Sequence, residues 1–324
     1  MVPMRRSWHA HRPRGRPGGA GWPDRMRGAA CEDAGMAVGF AGLGIMGQPM
    51  AARLRDAGVP LVLWSRRPDA ADAIVARGAV RAVDPDALFA ASDTVLLMLR
   101  DEPATDEVLG RGTDAFARRV AGRRIVVMGT NSPGFSAALA ADIRDAGGVY
   151  LEAPVSGSRV PAERGELVVM LAGDDDAALA ETAGLLAPLA RAVVRCGAVP
   201  GALRTKIAVN HYMMAMVAAL AEALTAARTA GLDLDAVVEV LQASPMDSPI
   251  GRVKAAKLLA GDESPQAAIA DVVKNCGLVL AEARAVGAVT PIIDLVAELY
   301  ERTAASGLAF ADMVAVARQF APAP

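Results

Sequence analysis

Between about residues 38 and 195, short apolar runs rich in Val, Leu and Ile alternate with stretches whose apolar positions recur at helical spacing. The pattern predicts strands at 38–41, 60–64, around Val80, 94–99, 124–128, 149–153, 167–171 and 192–195. Helices are expected between them at 46–54, 69–77, 85–91, 103–119, 134–146 and 175–190. Strands alternating with helices at this interval imply a doubly wound parallel sheet. From about residue 200 the strand signal stops. The stretch 203–230 holds neither Gly nor Pro and would form a helix of about 42 Å. Further helices are expected at 233–243, 249–260, 265–286, 291–305 and 311–319, separated by Gly, Pro and Ser. The expected fold is therefore α/β at 36–197, followed by an all-helical C-terminal domain at 198–320.

The first apolar run ends in Gly42-x-Gly44-x-x-Gly47 and passes directly into helical spacing. A strand, a glycine turn and a helix N-terminus make an anion site. The first glycine permits the turn, the second lets backbone approach a pyrophosphate, and the third lets helix pack on strand. Gly42, Leu43, Gly44, Ile45, Met46 and Gly47 are thus the candidate phosphate cradle of a dinucleotide.

Composition narrows the chemistry. A net charge of -2 gives no pull towards nucleic acid or an anionic membrane surface. Cys31, Cys196 and Cys276 form neither a CxxC pair nor an even disulfide framework, which points to the cytoplasm. With histidine only at positions 9, 11 and 211, a His-based triad or metal site is not expected. No run of apolar residues free of charge and breakers reaches the length of a membrane span. Residues 1–35 carry seven arginines, many Gly and Pro and no apolar periodicity. They read as a disordered or non-native extension, with Met36 as the functional start.

Ligands of a doubly wound sheet sit at the carboxyl ends of its strands. The expected ends here fall at Arg66, Leu99, Thr130 and Pro154. An NAD site would place an acid on the ribose about 20 residues past the glycines. This chain has Ser65, Arg66 and Arg67 there. An arginine at that point can face a 2'-phosphate, which favours NADP; the alternative is a pair of solvated charges at a strand end. Val155-Ser156-Gly157-Ser158 is either an ordinary turn or a set of donors suited to a carboxylate or oxyanion. Lys206 and Asn210, four apart, share one face of the long helix.

Taken together, these segments resemble the beta-hydroxyacid dehydrogenase family, which includes 3-hydroxyisobutyrate dehydrogenase. The likeness spans about 36–320. GFAGLGIMGQPMA is similar to the family's dinucleotide signature, WSRR stands where NADPH-using members carry Asn-Arg-Thr or Asn-Arg-Ser, and GTNSP resembles the segment beside the nicotinamide. EAPVSGSRVPAERGEL resembles the substrate loop and leans towards the glyoxylate/succinic semialdehyde reductase branch. The resemblance implies a Rossmann-type domain, NADPH as cofactor, and a homodimer or homotetramer. It implies Lys206 and Asn210 as the catalytic pair, and substrate contacts from Ser156, Gly157, Ser158 and Arg159. Lys274 would close the cofactor site from the helical domain, with Ser65, Arg66, Arg67, Leu99 and Thr130 on the sheet side.

On that reading the chain moves a hydride between NADPH and a short semialdehyde, 2-oxo acid or 3-hydroxy acid carrying a carboxylate. A lysine is protonated at neutral pH and can donate a proton in reduction; oxidation needs a neutral lysine, its pKa lowered by burial or by a cation such as Lys274. Two alternatives are an imine reductase-like enzyme, whose relatives carry Asp or Tyr where Lys206 stands, and an NADP-binding protein without catalysis. The departures from the family pattern are Pro200 and Ala202 around Gly201, Val209 before Asn210, Asn275 after Lys274, and Arg159 in the substrate loop.

Overall fold

The computed structural model describes residues 37–321, so the reading of segment 1–35 lies outside the described residues. Six strands form one parallel sheet: β1 (Ala37–Ala41), β2 (Leu61–Trp64), β3 (Val80–Arg81), β4 (Ser92–Leu97), β5 (Arg124–Val127) and β6 (Val149–Glu152). Their order is β3-β2-β1-β4-β5-β6. The chain therefore builds outward from β1 in one direction, then returns to build outward in the other. The crevice between the ends of β1 and β4 is the topological switch point. Phe40, Leu63 and Leu96 pack on the α1 (Gly47–Asp56) face of the sheet, and Leu97, Ile125 and Val127 fill the other. Both faces are covered, which is why these strands read as unbroken apolar runs.

Several features of this half differ from the periodicity: the helix expected at 69–77 is a 3₁₀ turn, Pro68–Ala71, followed by a single helical turn, Asp72–Val75. The expected helix 103–119 is two helices, α4 (Glu102–Leu109) and α5 (Ala115–Val120). Gly110 and Gly112, at φ 70° and 81°, adopt the left-handed region between them, so α4 stops there although apolar spacing runs on. The strands after residue 153 also leave the main sheet. β7 (Val155–Ser156) runs antiparallel to β8 (Leu167–Leu171), which pairs in parallel with β9 (Ala190–Arg195). Pro154 has no N–H for a strand ladder and marks the turn between the sheets.

The second half is built round α9 (Gly201–Thr229). One face of α9, with Ile207, Met214, Val217 and Ala221, packs against α12 (Ile269–Ala285) and α13 (Pro291–Thr303). It is also the one described helix long and apolar enough to cross a bilayer, although its charge-containing sequence reads otherwise. The expected helix at 311–319 is a tighter 3₁₀ segment, Met313–Gln319. Asp312, fully buried, starts it by accepting the Val314 N–H, and it also accepts the N–H groups of Gln266 and Ala267. Its carboxylate takes both hydrogen bonds of the buried Lys254 ammonium, at 2.8 and 3.0 Å. Removing one partner of such a pair leaves an uncompensated buried charge. Asp312→Ala is therefore expected to destabilise the protein by about 3–5 kcal/mol in urea unfolding; an unchanged midpoint would contradict this account of the pair.

Candidate active site

The three glycines at the end of β1 each meet a different constraint. Gly42 has φ +97°, and a Cβ there would lie 2.2 Å from the Met98 carbonyl oxygen. A Cβ on Gly47 would lie 1.8 Å from the Gly42 carbonyl oxygen, so only glycine lets α1 start this close to β1. Gly44 is the opposite case: nothing lies within 4 Å of where its Cβ would be. That open space is where a phosphate would approach the backbone. No side chain caps α1 and no acid lies in its first turn, leaving the helix end suited to an anion. The cradle thus fits a dinucleotide.

A cavity of about 1090 Å³ runs from this turn along the sheet ends to the helical half. Gly42 through Gly47 line it, followed by Ser65, Arg66 and Arg67 beyond β2, Leu99 beyond β4 and Thr130 beyond β5. Ser65 Oγ accepts the Arg67 N–H at 3.4 Å. Both arginines are exposed, and among the described residues neither guanidinium has a hydrogen-bond or ion-pair partner. Ser156, Gly157 and Ser158 form the next stretch of wall. Gly157 has φ +133° and packs against Leu167 and Pro161, so the loop turns there as only glycine can.

From the helical side α9 presents Lys206, Asn210 and Met213 to the same cavity. Lys206 has no hydrogen-bond or ion-pair partner among the described residues, and burial alone pushes its ammonium pKa down to about 8. The expected contribution of Lys274 to that shift is absent. Lys274, on α12, instead donates to the carbonyl oxygens of Arg100 at 2.8 Å and Thr130 at 3.1 Å. It therefore fastens the helical half to the ends of β4 and β5, and burial holds its pKa below the usual lysine value.

Arg159, expected among the substrate contacts, does not line this cavity. Ser158 is the N-cap of α7 (Arg159–Arg164), so Arg159 becomes the first helical residue. Its exposed guanidinium pairs with Glu163 at 2.7 Å, one turn along the same face. Residues with no role expected from the sequence also reach the wall, Arg164, Arg191 and Lys254 among them, as does Asn275 beside Lys274. One signal was available for Lys254. Lysine occurs only at 206, 254, 257 and 274 in a chain with 34 basic residues, and none of the four is fully exposed.

The open space over Gly44 generates a clean test. Gly44→Ala meets no atom of the protein yet places a methyl group where a pyrophosphate would lie. It should keep the melting temperature within about 2 °C while weakening dinucleotide binding at least tenfold, about 1.4 kcal/mol, in a fluorescence titration. Unchanged affinity would remove this turn from the cofactor site.

Comparison with known proteins agrees with this geometry. Residues 37–197 match the NAD binding domain of 6-phosphogluconate dehydrogenase, and residues 202–320 match the NAD-binding domain of NADP-dependent 3-hydroxyisobutyrate dehydrogenase. The chain is 32% identical over 282 residues to the chloroplastic glyoxylate/succinic semialdehyde reductase 2 of Arabidopsis thaliana, covering 87% of this chain and 78% of that protein. It is 32% identical over 273 residues to 2-hydroxy-3-oxopropionate reductase of Escherichia coli, covering 84% and 92%. The crystal structure of 3-hydroxyisobutyrate dehydrogenase from Salmonella typhimurium superposes with a TM-score of 0.80 at 27% identity, over 88% of this chain and 100% of that one. With its Rossmann-type sheet, its glycine cradle and its helical second half, the chain belongs to the beta-hydroxyacid dehydrogenase family of NAD(P)-dependent oxidoreductases acting on CH–OH groups.

Proposed function

We propose that this protein reduces a short aldehyde or 2-oxo acid carrying a carboxylate, with NADPH as reductant and Lys206 as proton donor. The observation that carries this reading is Lys206 itself: an ammonium without a partner among the described residues, facing the cavity that the glycine turn and the Ser156–Ser158 loop also line. Bound NADPH supplies the hydride. Lys206 then delivers a proton to the carbonyl oxygen as negative charge develops there. Asn210, one turn along and only 4% exposed, would hold the reacting oxygen in line. The donors of the Ser156–Ser158 loop grip the carboxylate and set which face of the carbonyl is presented.

The unpaired guanidinium groups of Arg66 and Arg67 support NADPH over NADH, since they stand at the strand end where a ribose 2'-phosphate would lie. Two relatives are named as reductases of glyoxylate and succinic semialdehyde and of 2-hydroxy-3-oxopropionate, which are aldehydes bearing a carboxylate. We also infer self-association as a homodimer or homotetramer, supported by Tyr212, which lies 71% exposed on α9.

A lowered lysine pKa gives the two directions opposite pH dependences. Reduction needs the ammonium, so its rate should hold below about 8 and fall as pH rises through that value. Oxidation of the hydroxy acid needs the neutral amine and should rise through the same pH. Limbs of the same sign in both directions would remove Lys206 from proton transfer. Arg66→Ala should raise the KM for NADPH about ten- to a hundredfold, the worth of one charge-assisted hydrogen bond, and leave that for NADH within about twofold. Equal effects on the two cofactors would contradict the 2'-phosphate assignment.

A further inference from the structure

Helix α9 has no cap of its own. Pro200 stands at its N-cap position with no side-chain hydrogen bond, and its first turn contains no acid. Each of the first N–H groups nevertheless has an acceptor. Gly201 donates to the Ala198 carbonyl at 2.7 Å and Arg204 to the Pro200 carbonyl at 3.1 Å. The two between them, Ala202 and Leu203, donate to Glu152 Oε2 at 3.0 and 3.1 Å. Glu152 is the last residue of β6, 50 residues earlier in the chain, and is fully buried. Its other oxygen accepts the Ser136 hydroxyl, which lies 2.6 Å from Tyr150 Oη.

Three site segments therefore converge on one carboxylate. Ser136 belongs to α6 (Pro133–Asp145), which starts just past Thr130 at the cofactor wall. Glu152 precedes the Ser156–Ser158 loop by four residues. Ala202 precedes Lys206 by four and lies on the same side of α9, about 6 Å along its axis. Burial pushes the Glu152 carboxyl pKa up, while the Ser136 hydroxyl and the two amides pull against that shift; its ionised form has the favourable orientation to the helix dipole.

We propose that Glu152 is a positioning residue for the reaction, fixing Lys206 at the substrate carbonyl by gripping the first turn of α9 from the end of β6. This rests on the reading of Lys206 as proton donor. Glu152 touches neither substrate nor cofactor. What it provides is two acceptor contacts that set where α9 starts relative to the sheet, and a side chain that keeps an acceptor can provide them too.

The test uses the full chain, with Glu152→Leu and Glu152→Gln assayed for reduction of succinic semialdehyde and for NADPH binding. Glu152→Leu is expected to lose at least thirtyfold in kcat, to keep the NADPH Kd within twofold, and to move the alkaline limb of the kcat profile away from its wild-type pH. Glu152→Gln, whose carbonyl still accepts from both amides, is expected to restore kcat to within threefold and return the limb. Wild-type kcat and limb in Glu152→Leu would overturn the proposal, and so would a loss in Glu152→Gln as large as in Glu152→Leu. If Glu152→Leu does not fold, Glu152→Asp decides: one methylene shorter, it draws the carboxylate back from the Ala202 and Leu203 amides and should lower kcat about tenfold with NADPH binding intact, whereas full kcat overturns the proposal. Lys206→Ala in parallel separates the two ideas. Turnover in that variant defeats the proton-donor reading, while a dead Lys206→Ala beside a fully active Glu152→Leu defeats this inference alone.

Discussion

An ammonium partly withdrawn from water without a counter-ion is destabilised relative to its neutral form, and the function proposed here depends on that imbalance at Lys206. Burial, with no compensating carboxylate, pushes its pKa down to about 8. A lysine tuned to that range is present both as acid and as base near neutral pH. The other lysines show the contrast. Lys254 is fully buried where Lys206 is half-buried, and the Asp312 carboxylate lies against it, while Lys257 donates to Asp262 and Ser264. Lys274 satisfies two backbone carbonyls at the sheet ends. Among the described residues, only Lys206 of the four faces the cavity with neither a hydrogen-bond nor an ion-pair partner.

Keeping an unmatched charge in place requires a rigid frame. The helix that carries Lys206 is held along its apolar face by α12 and α13 and at its start by Glu152. The sheet contributes the opposite wall, where the glycine turn brings backbone rather than side chains to the cavity. Lys274 then ties the two walls together across the ends of β4 and β5. The same groups thus serve the fold and the geometry of the cavity.

What the sequence made legible follows from how local each constraint is. The turn at Gly42, Gly44 and Gly47 could be read directly, because three glycines at that spacing answer to backbone geometry within a few residues. The parallel sheet was legible because strands covered on both faces show as apolar runs. The fate of the strands after residue 153 was not, since pairing of β7 with β8 depends on which partner wins in space. Residues 103–119 kept helical spacing across Gly110 and Gly112, so periodicity hid a break that left-handed glycines impose. The loop motif places Arg159 among the substrate contacts, yet it opens α7 and its guanidinium pairs with Glu163 one turn along. Helical spacing also cannot tell a cavity lysine from a solvated one, so Lys206 stood out only through its resemblance to a family motif. Glu152 stood at the head of the loop segment, but nothing in the sequence linked it to α9, because its partner Ala202 is 50 residues away.

The central claim concerns one proton on one nitrogen, and it can be observed there. With lysine confined to positions 206, 254, 257 and 274, a protein labelled with ¹³C at lysine Cε gives few resonances, and Lys206→Arg assigns the one of interest. The account predicts that the Lys206 signal titrates at about 8. A titration at about 10.4, the value of a lysine in water, would contradict it.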